Sequence, residues 1–239
     1  MRTTQEGDLL QLTWLPGLFP VNCYLVIEND GLTLIDAGMP YCTKGITAAA
    51  AKLDRPITRM ILTHAHEDHV GALDALKQHY PEAVVYISSR DAALLGGDRT
   101  LRPGEPQTPI KGSVPSKVST KPDLLLEDGD TVGSLRAVST PGHTPGSMSF
   151  LDSRSNAVIA GDAFQTFGSV AVAGIVVPWF PFPAMATWNK EQALASAERL
   201  MKLSPSLLAV GHGNMLKAPV DKMKQAIRTA QFQHKKAGN

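Results

Sequence analysis

Cysteine is nearly missing from this chain: Cys23 and Cys42 are the two among 239 residues, and they form no C-x-x-C pair. Nothing here favours a thiolate zinc knot, and the simplest reading is two buried free thiols in a reducing cytosol, with a disulfide as the alternative. Charge of one sign is missing too. Lys and Arg number 23 against 22 Asp and Glu, a net charge of +1, which gives no electrostatic case for nucleic acid or an acidic membrane surface. No apolar run approaches the ~18–20 residues of a membrane span; Ala171–Phe182 is apolar but short and broken by Pro178 and Pro181. The opening residues Met1–Asp8 lack an apolar signal core, so the expected compartment is the cytoplasm. No Gly-x-Ser-x-Gly elbow occurs, which leaves covalent serine catalysis without support. Linker composition and short-period repeats are absent, so a single domain over 1–239 is expected.

What is present reads as strands alternating with helices, the pattern of a layered α/β fold. Val21–Glu28 and Leu32–Ile35 are apolar, β-branched runs around the hairpin signal Asn29-Asp30-Gly31. Helices are expected over Thr43–Leu53, Val70–His79, from a cap at Thr187 or Asn189 to Leu203, and over Val220–Gln233. Strands are expected at Ile57–Leu62, Ala83–Ile87, Leu124–Leu126, Arg136–Ser139, Ser147–Leu151, Ala157–Ile159 and Leu207–Val210. Two irregular insertions interrupt this order: the Pro-rich, basic stretch 96–121 and the aromatic stretch 163–187.

The densest chemistry lies in Thr63-His64-Ala65-His66-Glu67-Asp68-His69, directly after the strand at Ile57–Leu62. His64 and His66 are two apart, so in extended backbone both side chains point the same way. Asp68 and His69 follow where the chain turns into a helix and can reach round to a neighbouring position, a spacing that suggests two adjacent metal sites. Nitrogen and oxygen donors suit zinc first, with iron or manganese as alternatives. Four further polar residues end strands beside glycines: Asp36, His143, Asp162 and His212. In open α/β sheets such positions carry the chemistry, because backbone must approach a ligand closely there. A lone glycine-flanked His212 would read as a loop imidazole; alongside the cluster it reads as a ligand. His79 and His234 read as surface residues.

Taken in order, Asp36-Ala37-Gly38, Thr63–His69, Pro141-Gly142-His143-Thr144-Pro145-Gly146, Gly161-Asp162 and Gly211-His212-Gly213 resemble the metallo-β-lactamase superfamily over most of the chain. The resemblance implies an αββα sandwich with the metal site at one edge. It implies two divalent ions, one held by His64, His66 and His143, the second by Asp68, His69 and His212, with Asp162 bridging. Asp36 would support the metal loop through a ligand imidazole. A metal-bridging hydroxide would then attack an ester-type bond (ester, lactone or thioester), with Asp68 orienting the nucleophile or shuttling its proton. Glu67 reads as a solvated loop carboxylate.

The substrate is expected to be a small, partly apolar molecule. The aromatic insertion offers Phe164, Phe167, Trp179, Phe180, Phe182 and Met185 as a pocket wall, or alternatively as a homodimer contact. Glyoxalase II enzymes resemble this ligand set but carry a longer C-terminal region than the 26 residues after Gly213. Acyl-homoserine lactonases share the ligands, yet no tyrosine follows Tyr86 here to assist the carbonyl. The alternatives carried forward are such a lactonase, an iron-dependent redox enzyme resembling the persulfide dioxygenases, and β-lactam hydrolysis as a side activity.

Overall fold

The computed structural model describes residues 1–115 and 118–237, and the chain divides into two compact units. The first comprises Met1–Asp98 with Ser113–Glu127. It contains β1 (Arg2–Glu6), β2 (Leu9–Trp14), β3 (Val21–Glu28), β4 (Gly31–Ile35), α1 (Thr43–Lys52), β5 (Ile57–Ile61), α2 (Glu67–Val70), α3 (Leu73–His79), β6 (Val84–Ser88), α4 (Asp91–Leu95) and β7 (Leu124–Leu126). Its sheet runs β1-β2-β3-β4-β5-β6-β7, antiparallel as far as β4 and parallel from β4 to β7. Every residue of β4, and all of β3 but Ile27, is buried, the continuous burial of a sheet covered on both faces.

Parallel pairing decides where the chemistry of this unit collects. Ile35 pairs with Ile61, so β4 and β5 end side by side, and Asp36 N–H donates to Ile61 O at 2.8 Å. The residues just past the two strands therefore meet at the carboxyl edge of the sheet. The helix expected over Val70–His79 instead starts at Glu67 and breaks at Gly71-Ala72 into two pieces. The break follows from docking. A Cβ on Gly71 would lie 2.5 Å from Pro40 Cδ, and Gly71 N–H donates to Gly38 O at 2.8 Å. The strands β1 and β2 and the helix α4 went unread in the sequence.

The second unit comprises Arg99–Gly112 and the chain from Asp128 onward. It contains β8 (Thr131–Val132), β9 (Leu135–Ser139), β10 (Met148–Asp152), β11 (Ala157–Ile159), β12 (Phe164–Gln165), β13 (Ala171–Val172), α5 (Phe182–Ala186), α6 (Lys190–Lys202), β14 (Leu207–Ala209), β15 (Leu216–Lys217) and α7 (Val220–Ala237). One sheet runs β15-β14-β11-β10-β9-β8, with β11 and β14 parallel, and β12 pairs β13 as a separate hairpin. Asn189 caps α6, its Oδ1 accepting from Gln192 N–H at 2.9 Å. The buried residues Ala193, Ser196, Ala197 and Leu200 give α6 one inward stripe. Its core is built with Phe164, Val172, Leu208, Met223 and Ile227.

The insertion 163–187 is more regular than expected, holding the β12–β13 hairpin and α5. The stretch 96–121 has no helix or strand among its described residues; Ser116 and Lys117 lie outside them. It is nonetheless tied down. In the first unit, the Asp74 carboxylate accepts from the amides of Ser119 and Thr120 at 2.9 and 2.7 Å. In the second, Thr108 O accepts from Trp188 Nε1 at 2.8 Å.

Candidate metal centre

In the first unit β5 delivers the chain to Thr63–His69. His64, His66 and His69 are buried, with the His64 ring centroid 4.8 Å from that of His66 and 4.1 Å from that of His69. Asp36 organises them. Its Oδ1 accepts from Thr63 N–H at 2.8 Å, and its Oδ2 accepts from Thr63 Oγ1 and pairs with His69 Nδ1, both at 2.8 Å. Asp36 takes the left-handed region at φ 60°, a conformation Asp tolerates better than most residues.

These contacts set the tautomers. A carboxylate only accepts, so His69 carries its proton on Nδ1 and presents the Nε2 lone pair. The Thr63 hydroxyl has one proton and gives it to Asp36. Its lone pair therefore accepts from His64 Nδ1, 3.0 Å away, and His64 likewise presents Nε2. Asp68 is 27% exposed at its side chain, with Oδ2 3.9 Å from His69 Nε2. Glu67 is exposed but not merely solvated: its amide donates to Ser113 O at 2.8 Å and its carboxylate accepts from Ser113 Oγ.

In the second unit the parallel pair β11 and β14 plays the part that β4 and β5 play in the first. Ala160 N–H donates to Ala209 O at 2.7 Å, and Gly211 N–H to Gly161 O at 2.8 Å, so Asp162 and His212 emerge together. Asp162 Oδ2 lies 3.1 Å from His212 Nε2 and 3.3 Å from His143 Nε2, and all three side chains are buried. Thr187 reproduces the device of Thr63. Its hydroxyl donates to Pro183 O at 2.7 Å and so accepts from His143 Nδ1 at 3.2 Å, leaving Nε2 as the lone-pair nitrogen. Thr187 thus orients an imidazole instead of capping α6. Gly142, at φ 137°, is required beside His143, because a Cβ there would overlap the backbone of Ala193 at the start of α6.

The Phe180 ring lies 5.3 Å from that of His212, tilted by 54°, and also meets Phe167 and Phe182 edge-on at 5.3 and 5.4 Å. Trp179, Phe182 and Met185 are 87, 52 and 67% exposed. Phe164 departs from its expected place in a pocket wall: it is fully buried in the core cluster, facing away from solvent opposite Val172.

The donor set fits divalent cations. Buried imidazoles with defined Nε2 lone pairs, beside carboxylates, are the ligands of zinc, iron or manganese. The thiols do not compete: both are free and buried. Burial, with the neighbouring Cys42 and Asp36, pushes Cys23 well above its ordinary value, and burial raises Cys42 as well. The model for the metallo-beta-lactamase superfamily matches residues 16–212, far more than half of the chain.

The chain belongs to the metallo-β-lactamase superfamily. It is similar to the uncharacterized protein YobT of Bacillus subtilis (strain 168), 57% identical over 96% of this chain and 99% of that one. The probable metallo-hydrolase YflN of the same organism is 30% identical over 78% of this chain and 76% of its own. Among solved structures, TTHA1623 in a di-iron-bound form is 26% identical, covers 88% of this chain and 96% of that one, and has a TM-score of 0.65. The mixed α/β architecture is that of the metallo-β-lactamase fold, as the motifs implied. Superfamily membership and the His/Asp clusters together indicate a metal-dependent hydrolase.

Three contributors went unread in the sequence: Thr63 as an acceptor for His64, Thr187 as an acceptor for His143, and Asp91, whose Oδ2 accepts from Ala65 N–H at 3.1 Å. A signal existed for Asp91. It comes after the polar run Ser88-Ser89-Arg90 that follows a strand, but without the neighbouring glycine that marked Asp36 and Asp162.

Proposed function

We propose that this chain is a dinuclear metal-dependent hydrolase acting on an ester-type bond, thioester foremost, of a small, partly apolar molecule. His64, His66 and His143 would hold one divalent ion and Asp68, His69 and His212 the other, with Asp162 serving both. The observation that carries it is tautomer control: His64, His69 and His143 each have Nδ1 committed to an oxygen, which dedicates Nε2 to a cation. Zinc is the metal of choice, with iron as the alternative given the di-iron form of TTHA1623.

When bound, such ions polarise a carbonyl oxygen and lower the pKa of water from ~15.7 towards neutrality. The remaining work falls to the chain. Asp36 and Thr63 keep the imidazoles from rotating, so no reorganisation is needed as charge develops. Asp68, on the solvent side of His69, takes the proton from the attacking water on a carboxylate oxygen and returns it to the leaving group. The apolar portion of the substrate has two surfaces to lie on. One is the exposed Trp179, Phe182 and Met185 around Phe180. The other is a cleft of about 460 Å³ in the first unit, bordered by Met39, Tyr41, Val70 and the carboxylates of Glu67 and Asp74.

Weaker relatives support a thioester. Hydroxyacylglutathione hydrolase GloC of Haemophilus influenzae is 28% identical over 60% of this chain and 66% of its own. Thioesterase pkgB of Emericella nidulans is 31% identical over 59% of this chain and 35% of its own. The buried free thiols suit a reducing cytoplasm. The test is elemental analysis of protein purified without added metal, paired with a hydrolysis screen of esters, lactones, thioesters and phosphodiesters. Two metals per chain and chelator-sensitive thioester turnover are expected; one iron per chain without hydrolysis would refute the proposal.

A further inference from the structure

The backbone amides of the His64–His66 segment are pinned one residue in two, each from a different part of the first unit. Thr63 N–H donates to Asp36 at 2.8 Å, Ala65 N–H to Asp91 at 3.1 Å, and Glu67 N–H to the carbonyl of Ser113 at 2.8 Å. Between these amides the chain passes from a bend at Thr63 to the start of α2 at Glu67, with His66 extended at φ −75° and ψ 148°. Holding the amides of 63, 65 and 67 therefore fixes the residues between, His64 and His66. Asp36 anchors the strand side and Ser113 the helix side. The middle anchor is Asp91.

Asp91 is fully buried at the start of α4, and its own N–H donates to Ser88 Oγ at 3.0 Å. Burying a carboxylate is costly, and a five-residue helix could begin with a neutral capping residue at less expense. The carboxylate reaches across 26 residues of sequence to the amide of Ala65, the residue that separates the two imidazoles. We infer that Asp91 is a positioning residue for the metal centre, setting the direction of the His64 and His66 side chains through the Ala65 amide. This rests on the metal-hydrolase reading above. Once the Ala65 amide is released, the segment must be ordered at the moment of metal binding, and the lost order is read as lost affinity.

The experiment is zinc affinity by competition with a chromophoric chelator, with the visible spectrum of the cobalt form and thermal melting of the metal-free protein recorded alongside. Wild-type protein that binds no metal would sink the metal-hydrolase reading itself, independently of Asp91. Given wild-type binding, D91A is expected to bind zinc about 10–100-fold more weakly, with a changed cobalt spectrum. D91N keeps an oxygen that can accept from Ala65 N–H and is expected to stay within about 3-fold of wild type. D91A with wild-type affinity and only a lowered melting temperature would overturn the inference, because a merely structural residue behaves that way. D91N falling as far as D91A would overturn it too, since charge and not the hydrogen bond would then be at work. If D91A does not fold, Ser88→Ala loosens Asp91 while keeping its carboxylate and is expected to lose about 3-fold in affinity; unchanged affinity there counts against the inference.

Discussion

Asp36 accepts three hydrogen bonds on one buried carboxylate, two from Thr63 and one from His69. Replacing it with asparagine puts an amide N–H₂ or a single acceptor where two donors converge, so one donor loses its partner. D36N is expected to weaken zinc binding about 10–100-fold, measured by chelator competition. Thr63→Val removes the acceptor of His64 Nδ1 and leaves a buried N–H unsatisfied, a loss of about 1–3 kcal/mol in the unfolding free energy of the metal-free protein. Asp68 is different in kind, being the partly exposed carboxylate at this cluster. If it moves the proton, D68N should lower kcat by about 10²–10⁴-fold. An unchanged kcat with zinc fully loaded would remove Asp68 from the chemistry.

At the level of elements, the junction between the His143 turn and α6 is where packing and site depend on each other. Trp188 N–H donates to His143 O at 3.0 Å and Asn189 N–H to Gly142 O at 2.9 Å, so the cap of α6 and the backbone of His143 are one structure. Asn189→Ala removes the cap alone and is expected to cost about 1 kcal/mol in thermal or denaturant unfolding. Gly142→Ala should cost more, because its Cβ cannot coexist with the Ala193 backbone without moving α6, and the φ of 137° disfavours any side chain. Should the two variants melt alike, the close approach at Gly142 is not the constraint it is taken to be. A cap at Thr187 or Asn189 and a helix running from it to Leu203 are legible in sequence, since both depend on neighbours within a few residues; that Asn189 is the cap was decided by the structure. The break between α2 and α3 is not, because the Gly71 amide there is taken by Gly38 O, 33 residues away.

Taken whole, the molecule has almost no net charge, yet several carboxylates are held ionised by local partners. The Arg199 guanidinium lowers Asp128, and the Val85 amide with Lys77 lowers Asp123. Burial opposes ionisation at Asp152, but the Arg154 side chain and amide outweigh it and hold that carboxyl down as well. A depressed folded-state pKa contributes stability that is complete above the unfolded value of about 3.9 and is lost as pH falls through the folded value. The melting temperature of the metal-free protein is therefore expected to hold down to about pH 4–5 and drop below that. D128N should shallow the drop; because Asp128 and Arg199 are each 47% exposed, the change should be small and salt-sensitive. Among the described residues no helix is long and apolar enough to cross a membrane.

The residue types of the candidate site, their order along the chain and the strands that deliver them were determined by the sequence itself. Those signals are local: a period of two puts His64 and His66 on one face, and glycine beside a polar residue marks a strand end at Asp36, Asp162 and His212. The tertiary structure decided which nitrogen each imidazole offers and which residues hold it there. Thr63 and Asp36, Asp91 and Ala65, His143 and Thr187, and Glu67 and Ser113 stand 26 to 46 residues apart, at separations no local pattern encodes. It also sorted the aromatic insertion, sending Phe164 into the core and Phe180 against His212 while leaving Trp179 in water. Hydrophobicity alone ranks those side chains alike; only the neighbours that packing supplies tell them apart.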